Sequence, residues 1–171
     1  MASVRPRIRA ALLAAAVAPG LTQAIALAAA PTPNAASPLL WATINVCNTP
    51  SHPDTVGIRG SMPGTGDSHE RMFMRFAIEY RSATFRWHYL HAAGQSNFVA
   101  VGKASSLARQ AGQDFVIAPS GSGRSVLRGV VVFEWRLHGR AVATSVRATR
   151  AGHTAAAGAD PPFFSAATCK I

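Results

Sequence analysis

Apolar and polar residues alternate along this chain in short runs, and the longest run lies near the carboxyl end. In residues 125–137, Leu127, Gly129, Val131, Phe133, Trp135 and Leu137 take every second position, with Arg128, Val130, Val132, Glu134 and Arg136 between them. A period of two is that of a β-strand, whose successive side chains point to opposite faces. The set holding Phe133 and Trp135 is the core face, and the set ending in Glu134 and Arg136 looks outward. His138-Gly139 interrupts the pattern, and residues 140–150 resume it with Val142 and Val146 as apolar positions. Gly139 can take the positive φ of a tight turn. These positions predict a long hairpin with one face on a core and a basic face in water.

The same period recurs upstream. Residues 72–80 place Met72, Met74, Phe76, Ile78 and Tyr80 on one face, with Arg75, Ala77 and Glu79 on the other. Residues 85–89 set Phe85, Trp87 and Tyr89 against Arg86 and His88, which puts Trp87 in a core phase. Shorter strands are predicted over 39–47, 55–61, 97–103, 114–118 and 163–169. Residues 48–54 read as a loop, because Pro50 and Pro53 break regular pairing. Residues 105–110 make at most a helical turn, and 151–162 a loop ending in Asp160-Pro161-Pro162. Eight or nine short strands between Gly, Pro, Ser and Asn turns predict an all-β, antiparallel sandwich or barrel.

The first thirty residues follow another logic. Arg5, Arg7 and Arg9 precede an alanine-rich apolar stretch that Pro19-Gly20 interrupts and that ends in the small-residue site Ala26-Leu27-Ala28. That is the pattern of a cleaved secretory signal peptide over 1–30. Residues 31–38 follow as a flexible leader, and 39–171 as one domain. No later segment is apolar enough to span a bilayer. The formal net charge of +10 falls to +7 when the three arginines of the signal leave. The expected location is secreted or envelope-associated.

Export changes the meaning of the two cysteines, Cys47 and Cys169. In an oxidising compartment they predict a disulfide between the first and last strands. Closing a loop of this length stabilises by about 4–5 kcal/mol on the chain-entropy model. Two buried thiols that never meet are the alternative.

The run LRGVVVFEWRLHGRAV (127–142), with RMFMRF (71–76) and the early VCN (46–48), resembles secreted bacterial immunoglobulin-like domains of the fibronectin type III or adhesion-associated kind. The resemblance covers roughly 41–171. It implies an immunoglobulin-like β-sandwich and no particular activity, since its motifs are structural. Leu127 stands where such domains often carry a tyrosine, and Cys47–Cys169 would be a terminal clamp, unlike the inter-sheet bridge of antibody domains.

Catalytic patterns are missing. Ser122 lacks the Gly-x-Ser-x-Gly frame of a hydrolase elbow, and Gly102-Lys103 lacks the glycines of a phosphate loop. A non-catalytic binding or structural module without cofactor is therefore expected. The alternative is a secreted metal-dependent hydrolase whose site draws on His52, Asp54, Asp67, His69 and Glu70, although polar loop residues ordinarily solvate turns. His88 and His91 fall on opposite faces of a strand, and His138 and His153 read as turn residues. Trp41 is the freest of the three tryptophans for stacking on a sugar. Arginine supplies the main functional signal, with Arg75, Arg86, Arg128, Arg136, Arg140 and Arg147 at outward or turn positions, joined by Arg81 and Arg150. The planar fork of arginine pairs with phosphate or carboxylate, which points to an anionic envelope polymer or another extracellular protein. Nucleic acid is not an expected partner of an exported chain.

Overall fold

A computed structural model describes residues 36–91, 94–117 and 125–171. The signal segment, residues 31–35 of the leader and the 119–123 turn with Ser122 lie outside the described residues. Among the described residues nine strands follow in order: β1 (Trp41–Thr49), β2 (His52–Pro63), β3 (Arg71–Arg81), β4 (Trp87–Tyr89), β5 (Val99–Lys103), β6 (Ala108–Val116), β7 (Val126–Leu137), β8 (Arg140–Ala148) and β9 (Cys169–Lys170). All named pairings are antiparallel. One sheet has the order β1-β2-β6. In the other, β3 and β7 are central, with β4 and β5 on the far edge of β3 and β8 and β9 on the far edge of β7. The chain is all-β, as its alternation predicts.

Both sheets turn their apolar sets to one core. Ile44, Val56 and Ile58 come from the smaller sheet; Phe76, Ile78, Val131, Phe133 and Trp135 come from the larger. The core face predicted for β7 is the buried one, from Leu127 through Trp135. Buried indole N–H groups need a partner, and Trp135 Nε1 donates to the Pro63 carbonyl at 2.9 Å, tying the end of β2 to β7. The two-residue turn between β7 and β8 has positive φ at both His138 (50°) and Gly139 (81°), which is the twist a tight hairpin requires.

Four expectations need correction. β2 starts at His52, because Pro50 sits in the turn and Pro53 takes an early strand position; it also runs on through Met62 to Pro63. The β6 strand begins at Ala108 in place of a helical turn, and its polar residues hid it from the alternation. Residues 163–168 are not a strand. They run irregularly beside β1, where Ala166 exchanges both backbone hydrogen bonds with Ile44. The fourth concerns the phase of β8, which carries a bulge between its partners Trp135 and Arg136. The extra residue, Val142, shifts every later side chain to the other face, so that Val142 and Val146 are exposed.

Cys47 and Cys169 form a disulfide across 122 positions of sequence. β1 belongs to the smaller sheet, whereas β9 pairs with β7 in the larger. The bridge therefore joins the first and last strands as expected, and through them it also joins the two sheets. Among the described residues, no helix is long and apolar enough to cross a membrane.

Candidate functional site

The outer face of the larger sheet gathers arginines and aromatic rings into two clusters. In the first, β3 and β7 place Glu79 opposite Arg128, and Arg128 Nε donates to Glu79 Oε2 at 2.6 Å. The Arg128 guanidinium lies 4.3 Å from the Trp87 ring centroid, and Arg81 lies 4.8 Å from that of Phe85 and 5.9 Å from that of Trp87. In the second cluster, Arg136 Nε donates to Glu134 Oε2 at 2.7 Å. Its guanidinium lies 4.3 Å from Phe73 and 4.6 Å from Phe98, with Arg75 5.3 Å from Phe98 on the other flank. Each stacked cation contributes about 0.5–2 kcal/mol according to its exposure, and exposed ion pairs about 0–1 kcal/mol. Their combined effect is to hold long, mobile side chains flat against the sheet.

This arrangement corrects the picture of a basic face simply in water. Arg128 and Arg136 are half-buried and neutralised by carboxylates. Among the described residues Arg71, Arg75 and Arg81 have no carboxylate partner, so the surplus positive charge of the face rests on them. Trp87 is also corrected. It stands opposite Arg81 in the β3–β4 pairing and so faces outward with the arginines. Phe85 beside it is 71% exposed.

The predicted arginines do not all meet. Arg75, Arg128 and Arg136 share the outer face; Arg86 is exposed in the turn over residues 82–86; Arg140 sits at the tip of the β7–β8 hairpin. Arg147 is opposite Val131, and the bulge at Val142 therefore turns it to the core side of the sheet. There it lines a cleft of about 510 Å³ with Trp41, Arg150 and His153. Trp41 stacks on His153, the ring centroids 4.6 Å apart and the planes 9° from parallel. Burial pushes the His153 imidazole below its ordinary pKa, so it is no simple turn residue.

The five loop residues of the metal reading do not converge. His52 and Asp54 lie at the start of β2, and Asp67, His69 and Glu70 lie beyond its far end. From Asp54 to the end of β2 at Pro63 the strand alone spans roughly 30 Å. Among the described residues no group of three His, Cys, Asp or Glu side chains could hold a metal ion. His52 joins a different set, in which its Nδ1 and the hydroxyls of Thr49 and Ser51 all reach Asp160 Oδ2. Hydrogen bonds from Ser51 and Thr49, then from His52, lower the Asp160 carboxyl to a pKa of about 2. In a nucleophilic triad the serine must reach the imidazole. Ser51 donates to the carboxylate instead, so this set clamps the first hairpin to the carboxyl-terminal segment.

Sequence reasoning missed Asp160, Glu79, Phe73, Phe98 and the Trp41–His153 pair. A partial signal existed for Glu79 and Arg128, which hold the outward phase in their strands. The other partners meet only through pairing between distant segments. Compared with known protein families, with curated proteins and with solved structures, the chain matches none.

Proposed function

We propose that the protein is an exported, non-catalytic domain of the immunoglobulin-like type that binds an anionic polymer of the cell envelope. The observation that carries this reading is the pair of arginine–aromatic clusters on one sheet face, with Arg71, Arg75 and Arg81 left without carboxylate partners among the described residues. Held flat by rings, guanidinium groups lose little freedom on meeting phosphate or carboxylate, and aromatic edges cover the apolar parts of the ligand. The strand order supports the immunoglobulin-like reading. Sheets of β1-β2-β6 and of β4/β5-β3-β7-β8 correspond to the A-B-E and C′-C-F-G order of that architecture. The signal-like first thirty residues and the disulfide support export.

Sedimentation of the purified protein with isolated cell envelopes across rising salt tests the function. The bound fraction should fall as the screening length shrinks from about 30 Å at 0.01 M to about 8 Å at 0.15 M. Arg75→Glu combined with Arg81→Glu should abolish it while the protein still unfolds in one cooperative thermal transition. Absence of binding at low salt, or binding that survives both substitutions, overturns the proposal.

A further inference from the structure

A sheet edge presents backbone groups that another strand can take, and most edges of this fold carry a device against it. The carboxyl-terminal segment covers β1, through the paired hydrogen bonds of Ala166 with Ile44 and the bond from Asp160 N–H to the Asn45 carbonyl. β6 carries Arg109, Gln110, Gln113 and Asp114. Beyond β3 lie the short strands β4 and β5, of three and five residues. β8 differs. Its nine residues include no proline and no lysine, and its two charges, Arg140 and Arg147, sit near its ends. The bulge at Val142 lies towards the hairpin tip and leaves 143–148 in regular pairing with β7. Val142 and Val146 are 52% and 51% exposed. Among the described residues no segment pairs with the far edge of β8.

The backbone of this edge is set for pairing. Alternate residues of an antiparallel strand address opposite neighbours. Thr149 N–H donates to the Gly129 carbonyl of β7 at 2.9 Å, so Thr144, Val146 and Ala148 turn their backbone groups to the open side. The Val146 carbonyl accepts from Arg147 Nη1 at 2.9 Å, and its second lone pair leaves room for a backbone donor. The side chains are self-complementary about Thr144. In an antiparallel pair centred there, Val142 stands opposite Val146 of the second copy, and Val146 opposite its Val142. Ala143 meets Ser145, Arg140 meets Ala148 and Ala141 meets Arg147, so no two arginines face each other. We infer that the protein associates with a second copy of itself through β8, the two strands running antiparallel about a two-fold axis at Thr144. Such an interface is isologous, and each valine pair forms twice across it. An axis normal to the sheet also keeps the arginine–aromatic faces of both copies on one side. The pairing itself does not depend on what that face binds.

The test is sedimentation velocity of the purified protein over a range of concentrations, in which a dimer should grow in as concentration rises. Thr144→Lys and Thr144→Glu each place two like charges opposite one another at the axis. Each should raise the Kd of the dimer by at least about tenfold. Mixed in equal amounts, the two variants bring opposite charges together and should return the Kd to within about threefold of the parent. Thr144 is exposed, so both variants should keep a single cooperative thermal transition. Arg75→Glu with Arg81→Glu should leave the dimer intact, which keeps its fate distinct from that of the outer face. The assignment is overturned by a monomer at every concentration, by a dimer indifferent to the charge at 144, or by a mixture of the two variants that stays monomeric.

Discussion

Arg128 and Glu79 meet across the β3–β7 pairing at 2.6 Å, with the carboxylate side chain only 10% exposed and the guanidinium capped by Trp87. Removing one member leaves the other partly buried without its partner, whereas replacing both removes the desolvation cost together with the bond. Glu79→Gln should therefore cost about 1–3 kcal/mol, and the double change Glu79→Leu with Arg128→Met should recover most of it. Urea unfolding of the three proteins checks this. Additive losses in the double variant would show that the two side chains act independently.

Packing between the sheets makes a sharper demand at Gly129. A Cβ there would lie 2.7 Å from Ile58 Cδ1 and 2.7 Å from Thr149 Cγ2, and both neighbours are buried. Gly129→Ala should lower stability by about 1–3 kcal/mol through overpacking. Ile58→Val, which removes the contacting Cδ1 methyl, should restore part of the loss in the double variant. Thermal unfolding that shows no loss for the single change would contradict this close approach.

The disulfide gives a third expectation. Cys47 and Cys169 close a loop of 122 positions, so Cys47→Ala with Cys169→Ala should cost about 4–5 kcal/mol. Because the bridge also joins the two sheets, the loss should appear in one cooperative transition. A variant within about 1 kcal/mol of the parent by urea unfolding would argue against the chain-entropy account.

Acid should act through Asp160. Its carboxyl titrates near 2 when folded and near 3.8 as an ordinary aspartate. A carboxyl lowered on folding binds its proton more readily in the unfolded chain, so stability rises with pH through this window. The contribution is fully present above about pH 4 and lost as pH falls towards 2. Stability measured between pH 5 and 2 should fall less steeply in Asp160→Asn. Identical slopes for the two proteins would mean that the Thr49, Ser51 and His52 contacts do not hold the charge in solution.

Much of the architecture was legible because alternation is a local property. Phe133 and Trp135 marked the core face of β7, Met72 to Ile78 that of β3, and His138-Gly139 the turn between β7 and β8. Polar β6 was legible only in its last residues, since Arg109, Gln110 and Gln113 blur a period-two pattern at the edge of a sheet. The candidate site was legible by residue type but not by grouping. Arginines were visible as a set, yet nothing local said that Arg147 would part from Arg75 and Arg136.

The sequence by itself determined the strand period, the apolar set of each long strand, the tight turn at Gly139 and the single pairing open to two cysteines. Only the tertiary structure decided which way several of those sets face. One extra residue at Val142 inverts β8, sending Val146 to solvent and Arg147 to the cleft. The pairing of Trp87 with Arg81 turns an apparent core aromatic into part of the arginine face. Asp160 gains its three donors from a turn more than a hundred residues away. The reason is common to all three: a period of two states which residues share a face, and only register with a partner strand states which face is buried.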